Sequence, residues 1–121
     1  MAKRIQQGDG WRLGVNSNAP TYPGLVGTDE WSLELTDREL KDFCRLTLQL
    51  ADTVTAIATE LMDGERISCE AESECLWLEA EGYPHAYTLR LILLTGRRAE
   101  GEWTPSAVPE LLSAIRLIDA F

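Results

Sequence analysis

The side chains that could do chemistry in this sequence are few and far apart. His85 is the only histidine, which excludes the usual zinc or iron site built from several histidines. One histidine can act as a general base only beside a partnered nucleophile, and the sequence has no Gly-x-Ser-x-Gly elbow. His85 follows Pro84 in a predicted turn, which favours a structural role. We predict a protein that is not an enzyme and that needs no metal or cofactor.

The cysteines do not form a recognisable chemical motif. Cys44, Cys69 and Cys75 are an odd number with no Cys-x-x-Cys pair, a pattern untypical of a disulfide framework or a zinc site. Cys44 falls in a predicted helix and the other two in predicted strands, where cysteine usually packs as a small hydrophobe. We expect all three to be free thiols.

Acidic side chains cluster on the outward phase of two predicted strands. They lack the loop spacing of a calcium site, so a solvated strand face is favoured, and outward acids also keep one sheet from pairing with another. These residues are Glu70, Glu72, Glu74, Glu79 and Glu81.

The only basic cluster outside the N-terminus consists of Arg97 and Arg98, with Arg66 and Arg90 on outward strand phases. Arginine beside an aromatic such as Trp77 can bind single-stranded nucleic acid by charge and stacking. Here glutamates interleave with the arginines and the net charge is −9, so pairing within the molecule is the better interpretation. Nucleic-acid binding would require all these arginines to lie on one stripe.

Composition indicates one ordinary globular domain. The chain has 121 residues, of which 45% are hydrophobic and 26% charged, enough to bury a core without disulfides or metals. The longest apolar run, residues 91–94, is too short to cross a membrane. The charged N-terminus has no apolar stretch behind it, unlike a secretory signal, and we expect a cytoplasmic protein.

The first half predicts two strands and a long helix. Residues 1–9 are polar and are expected to be frayed, residues 10–15 alternate as a strand, and residues 16–30 form an irregular Pro- and Gly-containing connection. Residues 31–35 form a second strand. A capping box of Thr36 and Glu39 then starts a helix that runs to Met62, before the Asp63-Gly64 stop.

The second half predicts three alternating strands, a short fourth and a closing helix. The strand segments are residues 66–72, 75–81 and 87–94, followed by a short piece at 98–103 and a helix from Ala107 or Val108. Together these elements predict an α+β domain, in which a curved antiparallel sheet packs on one long helix in the order β-β-α-β-β-β-(β)-α.

An apolar patch on the outward phase of this sheet is the most informative anomaly. If the leucines of these strands face the long helix, the opposite face carries Cys75, Trp77, Ile92 and Leu94. A sheet face exposed to solvent should instead be polar. Either the C-terminal helix or a second protein covers the patch. We predict a protein-interaction module, with a homodimer as the expected assembly. Its interface residues would be Trp77, Ile92 and Leu94, with Arg90 and Arg97 at the rim.

A third possibility is a small-ligand cavity between sheet and helix. It would place Tyr83, His85 and Tyr87 at the mouth of a pocket. Such a site should gather polar groups with shifted pKa values, and we expect no pocket of that kind.

Several segments together resemble a small cyanobacterial family, the domain of unknown function 1818. The resemblance covers nearly all of residues 10–121 and implies a helix wrapped by a curved antiparallel sheet, described as cystatin-like. Similar folds are grouped with single-stranded-DNA-binding regulators of the Whirly type, but this sequence lacks their basic strand surface. The segments are GWRLG at 10–14, YPGLVG at 22–27, WSLELT at 31–36, DFCRL at 42–46, ISCEAES at 67–73, EGYPHAY at 81–87 and GRRAEG at 96–101.

Overall fold

A computed structural model describes residues 3–119 of the chain as two successive units, each made of four strands and a helix. The elements are β1 (Lys3–Gly8), β2 (Trp11–Asn16), β3 (Gly24–Gly27), β4 (Ser32–Leu35), α1 (Asp37–Ala58), β5 (Ile67–Glu72), β6 (Leu76–Tyr83), β7 (Ala86–Leu93), β8 (Glu100–Trp103) and α2 (Val108–Asp119). Within each unit the strands pair antiparallel in chain order. The α+β class is confirmed. The cystatin-like label is not, because the strands form two four-stranded sheets rather than one curved sheet.

The first sheet contains two strands that the sequence did not predict. Residues 3–8, expected to be frayed, form β1 and pair along β2. Their pattern is inconspicuous because Ile5 is the only apolar side chain in the strand. Met1 and Ala2 lie outside the described residues. Residues 16–30, expected to be irregular, contain β3, whose apolar core of Leu25 and Val26 lies between two glycines.

The capping box of α1 is confirmed. The Glu39 backbone N–H donates to the Thr36 hydroxyl at 3.1 Å, and the Thr36 N–H donates to a Glu39 carboxylate oxygen at 2.9 Å. The helix ends at Ala58, four residues before the predicted end at Met62. The chain tightens there, because the Glu60 N–H bonds the Ile57 carbonyl, three residues back, at 3.0 Å.

The core lies where α1 meets both sheets, and Trp103 at the end of β8 joins them. Its ring lies 5.6 Å from the Phe43 ring and 5.0 Å from the Trp31 ring, between centroids. Its indole N–H donates to the Gly27 carbonyl of β3 at 2.8 Å. Since Trp103 is fully buried, this one side chain links the second sheet to α1 and to the first sheet.

The second sheet follows the prediction closely. The turn between β6 and β7 is shorter than expected, since only Pro84 and His85 separate the strands. Gly82 has a φ of 139°, and a Cβ there would lie 2.7 Å from the Ala86 carbonyl oxygen. A glycine is therefore required at this position. Among the described residues, no helix has the length and apolar character needed to cross a membrane.

Candidate functional site

The outer face of the second sheet is the surface that points away from α1. It is built from cross-strand rows, and the row next to the β5–β6 turn is apolar in the middle and acidic at both ends. In this row Glu72 faces Trp77 and Ile92 faces Glu100, while Trp77 on β6 pairs with Ile92 on β7. Trp77 and Ile92 are half-buried. A tryptophan and an isoleucine thus lie side by side between two carboxylates.

The neighbouring row carries four charges. Glu70 faces Glu79 directly, Glu79 faces Arg90, and Arg90 faces Glu102. The Arg90 guanidinium lies 5.9 Å from the centre of the Trp77 ring and 3.7 Å from a carboxylate oxygen of Glu100. Arg90 therefore connects the two rows by a cation–π contact and an ion pair.

Several carboxylates of this face lack a cation. Among residues 4–118, whose side chains are described, no lysine or arginine nitrogen lies within 4.0 Å of the Glu70, Glu72, Glu79 or Glu102 carboxylates. The carboxylates of this face that do have a cation are Glu100, paired with Arg90, and Glu81, paired with Arg66, each at 3.7 Å. The face is consequently an acidic surface with an apolar pair near one end.

The C-terminal helix does not cover this patch. α2 packs against α1, β2 and β7, and its contact with β7 includes Tyr87, on the inward phase opposite Ile92. Leu94, next to the patch, is 48% exposed. The sequence left open whether α2 or a second protein covers the outer apolar patch. The structure shows that α2 does not cover it.

Cys75 does not belong to the outer face, contrary to the strand pattern. Residues 73–75 form a turn closed by a hydrogen bond from the Ser73 N–H to the Leu76 carbonyl at 2.9 Å, so the alternation of β6 starts only at Leu76. Cys75 is 6% exposed and its thiol contacts Asp42 of α1. Burial raises the pKa of the Cys75 thiol, and nearby Arg38 opposes this. None of the three cysteines, all of which the structure describes, forms a disulfide.

Asp42, on the same side of α1, has a pKa below its ordinary value of 3.8. Burial acts to raise this pKa, but hydrogen bonds from Ser73, Arg45 and Cys75 outweigh it. The carboxylate therefore ties α1 to the turn between β5 and β6.

Arg97, expected at the rim of the patch, is engaged elsewhere. Its guanidinium donates to the Glu34 carbonyl and to the Glu39 carboxylate, and lies 4.8 Å from the centre of the Tyr22 ring. Trp77, Ile92, Leu94 and Arg90 are thus brought together without Arg97. The sequence carries no signal for this contact, because Glu39 already had a role in the capping box.

Three of the four arginines of the basic cluster are engaged by separate partners within the molecule. Arg66 lies 5.2 Å from the Tyr83 ring centre and beside Glu81, Arg90 is paired with Glu100, and Arg97 with Glu39. The geometry required for nucleic-acid binding is therefore not found among them.

The three residues expected at a pocket mouth are split between two surfaces. Tyr83 lies on the outward phase of β6 with its ring stacked on His85, 5.9 Å between centroids. His85 and Tyr87 both line a groove of about 200 Å³ between α1, α2 and the turn joining β6 to β7. Burial raises the pKa of Tyr87 while Arg116 acts to lower it. A pocket with polar groups and a shifted pKa does exist, against expectation.

No group of three or more His, Cys, Asp or Glu side chains in the described part of the chain is arranged to hold a metal ion.

Comparison with known proteins identifies a family without an assigned function. The model of the domain of unknown function 1818 matches residues 6–118. A solved structure of a protein with unknown function from the DUF155 family, from Prochlorococcus sp. NATL2A, superimposes with a TM-score of 0.89 at 28% identity, over 98% of each chain. No curated protein matches the sequence. The family match spans almost the whole chain, and the protein belongs to the family of the domain of unknown function 1818.

Proposed function

We propose that this protein is a non-enzymatic interaction module of the cytoplasm, and that its outer sheet face binds a basic segment of another protein. The observation that carries the proposal is the half-buried Trp77–Ile92 pair beside carboxylates that have no cation partner among the described residues. These carboxylates belong to Glu72 in the same row and to Glu70, Glu79 and Glu102 in the neighbouring row. Tryptophan and arginine are the side chains that most often anchor protein interfaces. Unpaired carboxylates around them select lysine and arginine in the partner. A cytoplasmic location agrees with three cysteines that form no disulfide.

A homodimer through this face is the second candidate. It is favoured by the Trp77–Ile92 pair, which no element of the described chain covers, and by the exposed Leu94. In a two-fold dimer the same patch meets itself. Copies of the outer face would then bring Glu70, Glu72, Glu79 and Glu102 of each chain against an equally acidic surface. Like charges at an interface cost affinity, so charge complementarity favours a basic partner over a second copy.

Titration of isotope-labelled protein with a short peptide of alternating arginine and leucine tests the proposal. We expect amide shifts on β6 and β7 around Trp77 and Arg90, with affinity falling as salt shortens the screening length to about 8 Å at physiological strength. The same peptide with glutamate in place of arginine should not bind. Equal binding of both peptides, or shifts confined to other surfaces, would contradict the proposal.

Matched variants distinguish peptide binding at the outer face from nonspecific hydrophobic binding. Trp77→Ala should abolish most peptide binding, while Met62→Ala, which removes a 76% exposed side chain in the loop after α1, should leave it unchanged. Sedimentation of the free protein over a range of concentrations distinguishes the candidates. A dimer that dissociates in Trp77→Ala would favour self-association in place of a basic partner.

A further inference from the structure

The groove between α1, α2 and the β6–β7 turn has the features of a small-ligand site. Its volume is about 200 Å³, below the roughly 300 to 1,000 Å³ of pockets that hold drug-sized molecules, so only a compact molecule fits. Its walls are apolar and polar in similar measure. The apolar side chains along them are Val54, Pro84, Pro105, Pro109 and Leu112.

Tyr87 supplies an unused hydrogen-bonding group in this groove. It is only 8% exposed, and none of the hydrogen bonds among the described residues involves its hydroxyl. In the described part of the chain, the one fully enclosed polar atom without a partner belongs to Thr47. Tyr87 lines the groove, and its hydroxyl is therefore not fully enclosed by protein atoms. The phenolic hydroxyl can donate a hydrogen bond to an acceptor atom of a ligand in the groove.

The charge of the groove is positive. Arg116 in the last turn of α2 lines it and interacts electrostatically with Tyr87. No carboxylate of residues 4–118 lies within 4.0 Å of the Arg116 guanidinium. No aspartate or glutamate is among the described groove-lining residues, and His85 stands at one end. A tyrosine phenol carries its proton at neutral pH and can donate a hydrogen bond, and burial raises the pKa of Tyr87 further.

We propose that this groove binds a compact organic acid, whose carboxylate accepts from Arg116 and the Tyr87 hydroxyl while its apolar body lies against the prolines and Leu112. An arginine guanidinium and a hydroxyl are both donors suited to a carboxylate. This site is on the opposite side of the second sheet from Trp77, because Tyr87 lies on the inward phase of β7. Its test is therefore independent of the outer face.

Benzoate and hexanoate are suitable probes, with benzamide as the uncharged counterpart of benzoate. We expect saturable binding of at least one acid, followed by calorimetry and by amide shifts at Tyr87, Leu112 and Arg116. Benzamide should bind more weakly. Tyr87→Phe and Arg116→Met should each weaken acid binding about tenfold, the loss of one charge-assisted hydrogen bond.

Two controls keep the result interpretable. Tyr87→Phe should melt at the wild-type temperature, because the hydroxyl bonds no described residue, so weaker binding cannot be ascribed to unfolding. Arg12→Met removes an arginine of the first sheet and should leave acid binding unchanged. The proposal is overturned if neither acid binds saturably, or if binding persists unchanged in both Tyr87→Phe and Arg116→Met.

Discussion

Arg97, in the connection between β7 and β8, pairs with the buried carboxylate of Glu39, 58 residues earlier in the first turn of α1. The same carboxylate accepts from the Thr36 backbone N–H at 2.9 Å and from the Thr95 hydroxyl at 3.1 Å. The residue that caps the helix is thus also the point at which the second unit is fastened to the first. Glu39 is 2% exposed, so its carboxylate is shielded from water and bonds these protein groups instead.

Arg97→Met should destabilise the protein strongly. It leaves the Glu39 carboxylate buried with two neutral donors and no counter-charge, and breaking a buried pair in this way costs about 3 kcal/mol. Urea denaturation should show a lower midpoint with little change in slope. Arg38→Met is the matched control, because its pair with Glu74 has side-chain exposures of 66% and 83% and such solvent-exposed pairs contribute little to stability.

Removing the Glu39 charge as well tests whether the unpaired carboxylate causes the loss of stability in Arg97→Met. Glu39→Gln combined with Arg97→Met removes both charges, and should be more stable than Arg97→Met alone. If the double variant is no more stable than the single one, the cost comes from lost packing on Tyr22 and not from an unpaired charge.

Asp42→Asn should destabilise the protein in a pH-dependent way. The folded-state pKa of Asp42 lies below its ordinary value of 3.8, so the stabilisation is fully present above that value and is lost as pH falls through the lower folded pKa. We expect a loss of about 1 to 2 kcal/mol at neutral pH, shrinking in strongly acidic buffer.

Thermal melts of both proteins between neutral and acidic pH measure this difference. Asp63→Asn, in the exposed turn after α1, is the control, because no described cation pairs with its carboxylate. A deficit in Asp42→Asn that stays constant down to the most acidic pH would show that the carboxylate charge plays no part.

The sequence predicted those elements whose pattern is local. The capping box of Thr36 and Glu39 marks the start of α1 within four residues. The alternation of apolar and polar residues in β6 and β7 is long enough to assign their inward and outward side chains. The patch of Trp77, Ile92 and Arg90 followed from that alternation. β1 and β3 were missed, because the first is polar and the second has only two apolar residues. Such strands are specified by their partner β2, not by their own pattern.

The remaining features depend on contacts between distant segments. Arg97 reaches Glu39 across the two units, and Arg116 meets Tyr87 only because α2 packs on the inner side of β7. No spacing in the sequence encodes either pair. Cys75 was placed on the wrong side because a turn interrupts the strand alternation just before Leu76. Long-range packing and turns are therefore where prediction from this sequence failed.

Thr47→Val should leave the protein as stable or make it more stable. The Thr47 hydroxyl is buried in α1, 1% exposed as a residue, and has no hydrogen-bond partner among the described residues. Replacing it with a methyl group removes an unpaired polar atom, with an expected gain of up to about 1 kcal/mol. Thr55→Val is the control, since its hydroxyl donates to the Ala51 carbonyl at 3.0 Å on a more exposed side of the helix. A clear loss of stability in Thr47→Val would indicate a partner for this hydroxyl.

Glu70→Lys should change stability and binding in opposite directions. Glu70 on β5 faces Glu79 on β6 directly, and like charges in a cross-strand pair are destabilising. A lysine there would attract Glu79, for a gain of about 0.5 kcal/mol in the free energy of unfolding. The same change reduces the acidity of the outer face, so the arginine–leucine peptide should bind more weakly.

Glu30→Lys provides the matched control, because it makes the same change in net charge at an exposed bend between β3 and β4. It should affect peptide binding far less than Glu70→Lys. If both variants weaken binding equally, the peptide senses only the overall charge of the protein. If Glu70→Lys stabilises the fold and selectively weakens binding, the wild-type protein keeps the Glu70–Glu79 repulsion at a cost in stability. Such a cost is expected of a surface that recognises a basic partner.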